Sequence, residues 1–134
     1  MKGSYILLIQ LKRRQHITIG SLDAVECMPG YYAYVGSALH NLEKRIRRHL
    51  SPKKKMFWHI DYLLEHAEVL DVYRIENPRK LECRIAERLS RCLASVHGFG
   101  CSDCRCKSHL FYARDRCRME TSIRETIDTI LSIP

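Results

Sequence analysis

The chain has 134 residues, a length that predicts a single domain (residues 1–134) with a core large enough to fold unaided. Its apolar share of 46% and charged share of 28% are typical of an ordinary globular protein and argue against disorder. No stretch approaches the ~20 apolar residues of a membrane span, and the apolar run 5–9 is too short for a signal peptide. We therefore expect a cytoplasmic protein that has no membrane partner.

Positive charge is concentrated in one stretch of the chain. The 23 Lys and Arg residues outnumber the 15 Asp and Glu residues, and the stretch 44–55 contains seven of these cations and no acidic residue. This concentration favours a polyanionic partner, most simply nucleic acid, and a solvated surface run is the alternative. The candidate phosphate-binding residues are Lys44, Arg47, Arg48, Lys53, Lys54 and Lys55.

The beginning of the chain predicts three strands. The stretches 4–11 and 16–20 are apolar or alternating, and we expect them to pair as a hairpin across residues 12–15. Residues 28–30 form a turn signal, and the aromatic and β-branched stretch 31–37 predicts the third strand.

Two helices are predicted next. The first runs from Leu39 to Leu50, with Leu42, Ile46 and Leu50 as its buried stripe, and the second covers about 57–66.

The second half of the chain predicts further strands and helices. We expect a strand over 68–75, a helix whose N-cap is Asn77, a short strand over 110–113 and a C-terminal helical extension over 115–134. The apolar stripes of these two helices are Leu81, Ile85, Leu89 and Cys92, and then Ile123, Ile127, Ile130 and Leu131. The predicted fold class is α+β: a small, mostly antiparallel sheet of about three core strands plus an additional hairpin strand, flanked by helices.

Helical phase selects candidate functional residues on two of the predicted helices. Arg45 and His49 lie four residues apart along one edge of the first helix's apolar stripe, where a cation and a proton-transferring group can be held together. Lys44, Arg47 and Arg48 are expected to point more nearly away from the stripe. Two surface residues of a basic helix are the alternative. On the third helix, Glu82 lies next to the apolar stripe, whereas Glu87 projects to the opposite side, so Glu82 is the candidate metal ligand.

The seven cysteines divide into two groups. Four are scattered (Cys27, Cys83, Cys92 and Cys117), and we expect them to be buried small hydrophobic residues. The cluster of Cys101, Cys104, Cys106 and His109 could hold zinc, although its spacing is tighter than that of common zinc ribbons. Buried thiols, or thiols that line a cleft, are the alternatives for this cluster.

Several motifs in order resemble those of the GIY-YIG nuclease superfamily. Gly3-Ser4-Tyr5 precedes an apolar strand, and Tyr34-Val35-Gly36 lies at a later strand end. Arg45, His49 and Glu82 then occur in the order of that family's Arg, its following Tyr or His, and its Glu. The resemblance spans about 3–112 and is closest to a compact branch with a Trp-His-Ile-Asp-Tyr-Leu-Leu run, here 58–64, and a Phe-Gly-x-Ser-Asp-Cys-x-Cys-x-Ser-His-Leu-Phe run, here 99–111.

This resemblance implies a metal-dependent endonuclease that hydrolyses phosphodiester bonds, with DNA preferred over RNA as substrate, in DNA repair or processing. Glu82 would hold the metal ion, Mg²⁺ or Mn²⁺, both of which prefer oxygen ligands. Arg45 would neutralise charge on the phosphate. Tyr5 and Tyr34 would bracket the attacking water. His49 would orient this water or accept its proton, and His59 would assist.

Two departures from the family pattern keep other functions open. Ser4 replaces the apolar middle residue of the first motif, and the late Asn of many relatives is missing, because the only asparagines are Asn41 and Asn77. The rival functions are a nucleic-acid-binding module without catalysis and a zinc-stabilised interaction domain. On spacing alone, Tyr5 and Tyr34 also fit core aromatics. Other DNA-repair proteins are further candidate partners.

Overall fold

Strands and helices make up most of the chain in a computed structural model that describes residues 2–19, 24–52, 54–56, 58–77, 81–96, 98–100, 106 and 108–132. The strands are β1 (Gly3–Leu11), β2 (Gln15–Thr18), β3 (Ala24–Cys27), β4 (Gly30–Ala38), β5 (Glu68–Glu76), β6 (Ala94–Ser95) and β7 (Leu110–Ala113). The helices are α1 (Leu42–Leu50), α2 (His59–Leu64), α3 (Glu82–Ser90) and α4 (Arg116–Leu131).

The main sheet is five-stranded, in the order β5-β1-β4-β7-β6, and every neighbouring pair is antiparallel. All of β1 is buried except the partly exposed Gln10. A strand with no polar alternation must be covered on both faces, and this requirement explains why helices lie on each side of the sheet. The predicted α+β class with an antiparallel sheet is confirmed.

The predicted hairpin between the first two strands is wrong. β2 pairs with β3 in a separate two-stranded sheet, with Gln15 opposite Cys27 and Thr18 opposite Ala24. Both edges of β1 are occupied by β4 and β5, so β1 has no edge left for β2.

Alternate residues of β1 pack into different hydrophobic clusters. Tyr5, Leu7 and Ile9 pack in one cluster with α1 and α2, whereas Ile6 and Leu8 pack in the other with α3 and α4. The helical contributions to these clusters include Leu42, Ile46, Ile60 and Leu63 on the first side, and Ile85, Leu89, Met119 and Ile123 on the second.

The predicted C-terminal extension forms α4, and this helix contributes directly to the core. Met119 and Ile123 are fully buried, and Ile127 and Ile130 pack partly against the same cluster. Leu131, which the apolar stripe predicted to be buried, is 55% exposed because it is the last residue of the helix.

α1 begins three residues later than predicted and turns a different residue inward. Asn41 is its N-cap, and the side chain of Asn41 accepts a hydrogen bond from Lys44 N at 3.0 Å. Leu50, predicted to be buried, is half exposed, and His49 is buried in its place.

The second helix, α2, is also shorter than predicted, since only His59–Leu64 is helical. Phe57, the first residue of the predicted helix, lies outside the described residues.

The prediction that Asn77 is the N-cap of the third helix is wrong. β5 continues to Glu76, and the Asn77 backbone N–H donates to the Lys2 carbonyl at 3.4 Å, which extends the strand pairing. The helix begins only at Glu82 and ends at Ser90, so Cys92 lies beyond it.

The burial predicted for the scattered cysteines holds only in part. Cys27 is buried and Cys83 is partly buried, whereas Cys92 and Cys117 are exposed. Cys92 lies in a turn and Cys117 in the first turn of α4, and neither faces the sheet. Among the described residues, no helix is both long and apolar enough to cross a membrane.

Candidate active site

Two tyrosines of the sequence motifs lie side by side on the face of the sheet that α1 and α2 cover. In the β1–β4 pair, Tyr5 is opposite Gly36 and Leu7 is opposite Tyr34, so the two tyrosines are diagonal neighbours. Their ring centroids are 6.5 Å apart, and both rings are buried. Gly36 provides the room, since a Cβ at this position would lie 2.4 Å from the Tyr5 ring.

His49 joins these tyrosines from the last turn of α1. Its Nε2 lies 2.6 Å from the Tyr5 hydroxyl, and its ring centroid lies 6.1 Å from that of Tyr34. Burial lowers the pKa of His49 to about 4, despite the opposing effect of the Asp61 carboxylate. His49 is therefore a neutral imidazole near pH 7, and one of its ring nitrogens has a free lone pair for a hydrogen bond.

The two phenols are held in their protonated form. Burial raises the pKa of Tyr5 and Tyr34 well above the ordinary value, and the Arg45 guanidinium acts in the opposite direction on both. The Glu82 carboxylate also raises both pKa values, so its charge acts on the pair of phenols from α3.

Arg45 lies at the boundary between the core and solvent, as its helical phase predicted. Its Nη1 donates to the Ser37 carbonyl at 3.0 Å, and its guanidinium carbon lies 4.5 Å from the centre of the Trp58 ring. These contacts fix the guanidinium beside Tyr5 while the side chain stays partly exposed.

Helical phase predicts that Arg48 points away from the core, and this prediction is wrong. It donates two hydrogen bonds to the fully buried Asp61 carboxylate at 2.9 and 3.0 Å, and it lies 4.3 Å from the centre of the Trp58 ring. Asp61 also accepts from Trp58 N at 2.9 Å. Sequence reasoning missed Asp61 and Trp58. The available signal was a helix-capping pattern in the Trp-His-Ile-Asp run, whose Asp is the third residue of α2.

The basic stretch is only partly a free charged surface. The Lys54 ammonium donates to the carbonyls of His49 at 2.7 Å and Ser51 at 2.9 Å, so it caps the C-terminal end of α1. Lys44, Arg47 and Lys55 are exposed, and Lys53 lies outside the described residues.

The opposite orientations predicted for the two glutamates of α3 are confirmed. The Glu82 side chain is 13% exposed, and its Oε2 lies 3.9 Å from His109 Nδ1. The Glu87 side chain is 60% exposed and pairs with Arg91 at 2.8 Å on the outer face of the helix.

His59 holds a turn beside the two tyrosines. Its Nδ1 accepts a hydrogen bond from Gly100 N at 2.8 Å, and its ring packs on Phe99 with centroids 5.7 Å apart. A Cβ at Gly100 would lie 3.4 Å from the Tyr34 ring, so this turn forms one wall of the site.

A second group of side chains could hold a metal ion. One ligand atom from each of Cys83, Cys106 and His109 lies within 4.8 Å of the others. Cys106 and His109 belong to the zinc set predicted from the sequence, and the other two members of that set, Cys101 and Cys104, lie outside the described residues. Sequence spacing could not find Cys83, because it lies more than twenty residues before Cys106 and is brought there by the fold.

Residues 4–132 match the family model described as "Domain of unknown function DUF123", so the chain belongs to this family. No curated protein and no solved structure matches the chain.

Proposed function

We propose that this protein is a metal-dependent endonuclease of the GIY-YIG type that hydrolyses phosphodiester bonds in DNA. The observation that carries the proposal is the 2.6 Å hydrogen bond between the Tyr5 hydroxyl and His49 Nε2. Tyr34, Arg45 and Glu82 accompany this pair, and together they provide proton transfer, phosphate neutralisation and a hard metal ligand.

In this mechanism, Tyr5 and His49 form a proton relay. In the neutral His49 tautomer that carries its proton on Nδ1, the Tyr5 hydroxyl donates to Nε2, which leaves a lone pair of the phenol oxygen for a proton of the attacking water. As the water attacks phosphorus, its proton passes to the Tyr5 oxygen and the phenolic proton passes to His49. The P–O bond to the leaving sugar oxygen breaks, and this oxygen takes a proton from solvent water. Tyr5 therefore need not exist as a phenolate, which its raised pKa would oppose.

Arg45 and Tyr34 would orient the phosphate and the water. The Ser37 carbonyl takes one of the five N–H groups of Arg45, and the guanidinium can donate others to phosphate oxygens. Its position over Trp58 limits its rotation, so the cation is in place before charge develops. The Tyr34 ring lies 6.1 Å from the His49 ring between centroids, and Tyr34 would hold the water by its hydroxyl.

The donor chemistry of the site fits Mg²⁺ or Mn²⁺. Glu82 is the residue that would hold this ion, and a single carboxylate with substrate phosphate and water is a ligand set that Mg²⁺ accepts. When bound, the ion supplies Lewis-acid polarisation of the phosphoryl oxygen.

The experiment that tests the proposal compares two tyrosines that each lose one hydroxyl. Tyr5→Phe and Tyr32→Phe both remove a buried phenol that makes a hydrogen bond of 2.6 Å, to His49 and to the Met28 carbonyl respectively. Nicking of plasmid DNA and cleavage of branched DNA and structured RNA are measured with and without Mg²⁺. We expect Mg²⁺-dependent cleavage of DNA by the wild type and by Tyr32→Phe, and a loss of at least ~10²-fold in Tyr5→Phe.

The alternative outcomes identify the rival functions. Salt-sensitive binding of oligonucleotides without cleavage by any variant would indicate a nucleic-acid-binding module. Equal cleavage by Tyr5→Phe and the wild type would contradict the relay.

A further inference from the structure

We propose that Cys83, Cys106 and His109 bind a zinc ion that links the first turn of α3 to the segment preceding β7. This site uses other side chains than the neighbouring oxygen site at Glu82, and it does not depend on nuclease activity.

The geometry of the three side chains is close to that of a zinc site. Their ligand atoms all lie within 4.8 Å of one another. Ligands at the corners of a zinc tetrahedron with bonds of about 2.3 Å are about 3.8 Å apart, so a contraction of about 1 Å at most would bring the three to bonding distance. Such a movement is within the reach of cysteine side-chain rotation.

The chemistry of the ligands favours zinc over the ion proposed for Glu82. Two thiolates and an imidazole are soft or borderline ligands, which select Zn²⁺, whereas Mg²⁺ and Mn²⁺ prefer oxygen. Both cysteines are only partly buried, which gives an ion a path of entry, and His109 is buried.

The fold holds the histidine in a fixed position. The His109 N–H donates to the Phe99 carbonyl at 2.8 Å, and its own carbonyl accepts from Val35 N at 2.9 Å. Its Nδ1 lies 3.9 Å from Glu82 Oε2, so a carboxylate lies beside the ring, as is common for histidines that bind metal ions. Coordination would thus also restrain the first turn of α3.

The chain offers a matched control for a test of this site. Cys83 lies in the first turn of α3, and Cys92 is an exposed thiol just beyond the end of the same helix and outside the cluster. The test measures zinc by elemental analysis in protein purified without chelator under reducing conditions, for the wild type, Cys83→Ser, Cys106→Ser and Cys92→Ser. Melting temperature is measured before and after removal of the ion by a zinc chelator.

We expect about one equivalent of zinc in the wild type and Cys92→Ser, and a loss of at least ~10-fold in both ligand variants. The chelator should lower the melting temperature of the wild type and leave that of Cys83→Ser unchanged. Wild-type protein that neither retains nor takes up zinc would overturn the proposal, as would an equal loss of zinc in Cys92→Ser.

A spectroscopic measurement covers the case in which a ligand variant does not fold. Wild-type protein loaded with Co²⁺ should show thiolate-to-cobalt charge-transfer absorption and the strong visible bands of a tetrahedral site. Their absence would overturn the proposal. So would a disulfide between Cys83 and Cys106, identified by peptide mapping of the native protein without reduction.

Discussion

The hydroxyl end of the Tyr5 ring occupies the space that a side chain would need at Gly36, its partner across the β1–β4 pair. A Cβ at Gly36 would lie 2.4 Å from both Cζ and the hydroxyl oxygen of Tyr5, which is closer than any real contact. The glycine that ends one motif therefore makes room for the tyrosine that ends the other.

Gly36→Ala should displace the Tyr5 hydroxyl from His49. Because the added methyl meets a ring in a closely packed core, we expect a loss of about 1–3 kcal/mol in the free energy of unfolding, together with loss of cleavage. Urea unfolding and the cleavage assay measure the two effects. Ser37→Ala, at the neighbouring position of β4, is the control and should change both little. A fully active Gly36→Ala protein would show that the position of Tyr5 is not critical.

His49 should make the stability of the protein depend on pH in the acidic range. Its pKa is about 4 in the folded protein and 6.5 in its unperturbed state, so between these values the unfolded chain binds a proton that the folded chain does not. The contribution of His49 to the free energy of unfolding is fully present above pH 6.5, and it falls by about 3 kcal/mol as the pH drops to 4.

His49→Gln removes this titration, and His66→Gln, at an exposed position, keeps it. We expect urea unfolding from pH 7 to pH 4.5 to give a shallower slope of stability against pH in His49→Gln than in the wild type and His66→Gln. Identical slopes in all three proteins would contradict the buried, neutral state of His49.

Local patterns in the sequence predicted most elements of the fold, but they missed the short strands β3 and β6 and did not give all strand partners. The strands at 4–11, 31–37, 68–75 and 110–113 and the presence of four helices follow from hydrophobic periodicity, and the structure has them close to these bounds. The pairing of β2 with β3 could not be predicted, because short alternating strands carry no information about which neighbour they meet.

The site shows the same division between local and long-range information. Helical phase correctly predicted that Glu82 and Glu87 lie on different faces of α3, because the faces of one helix follow from its own sequence. It failed for Arg48, because the buried Asp61 that draws this side chain inward lies thirteen residues away on another helix. His49 was placed at the edge of the stripe, yet it occupies the core position predicted for Leu50, because its ring packs against Tyr5 and Trp58.

Arg48 should be far more important for stability than its neighbour Arg47. Arg48→Met leaves the fully buried Asp61 without its bidentate cation, and we expect a loss of about 3 kcal/mol or more in the free energy of unfolding. Arg47→Met, at an exposed position of the same helix, should change stability by less than about 0.5 kcal/mol.

Replacing Asp61 in the same protein tests the cause of this loss. Asp61→Asn combined with Arg48→Met removes the unpaired charge and should recover part of the stability. Equal effects of the Arg48→Met and Arg47→Met substitutions would show that the ion pair contributes little.

Nucleic-acid affinity should depend on the exposed cations and not on the one that caps α1. Replacing Lys44, Arg47 and Lys55 with Ala should weaken binding to all DNA sequences and reduce the salt slope by up to about three units. Lys54→Ala should leave the slope unchanged, since the Lys54 ammonium is bound to backbone carbonyls. Fluorescence anisotropy over a range of salt concentrations measures both slopes. A reduced slope in Lys54→Ala alone would assign phosphate binding to that residue.

The two glutamates of α3 give the sharpest test of the proposed oxygen site for Mg²⁺. Glu82→Gln keeps the size of the side chain but removes the negative charge that would hold the ion, so cleavage should fall by at least ~10²-fold. DNA binding should be preserved or tightened in this variant, because a negative charge near the phosphates is lost.

Glu87→Gln is the matched control on the outer face of the same helix. It weakens only an exposed ion pair with Arg91, so both cleavage and binding should stay close to those of the wild type. Initial cleavage rates of the Glu82 variant are measured at several Mg²⁺ concentrations. If the variant needs more Mg²⁺ to reach its maximal rate, its metal binding is weaker; if only the maximal rate falls, its chemistry is slower. If Glu87→Gln is the inactive variant, the ion does not bind at Glu82. If both variants cleave as fast as the wild type, the proposed nuclease mechanism is wrong. This result would not affect the proposed zinc site at Cys83, because zinc binding does not depend on cleavage.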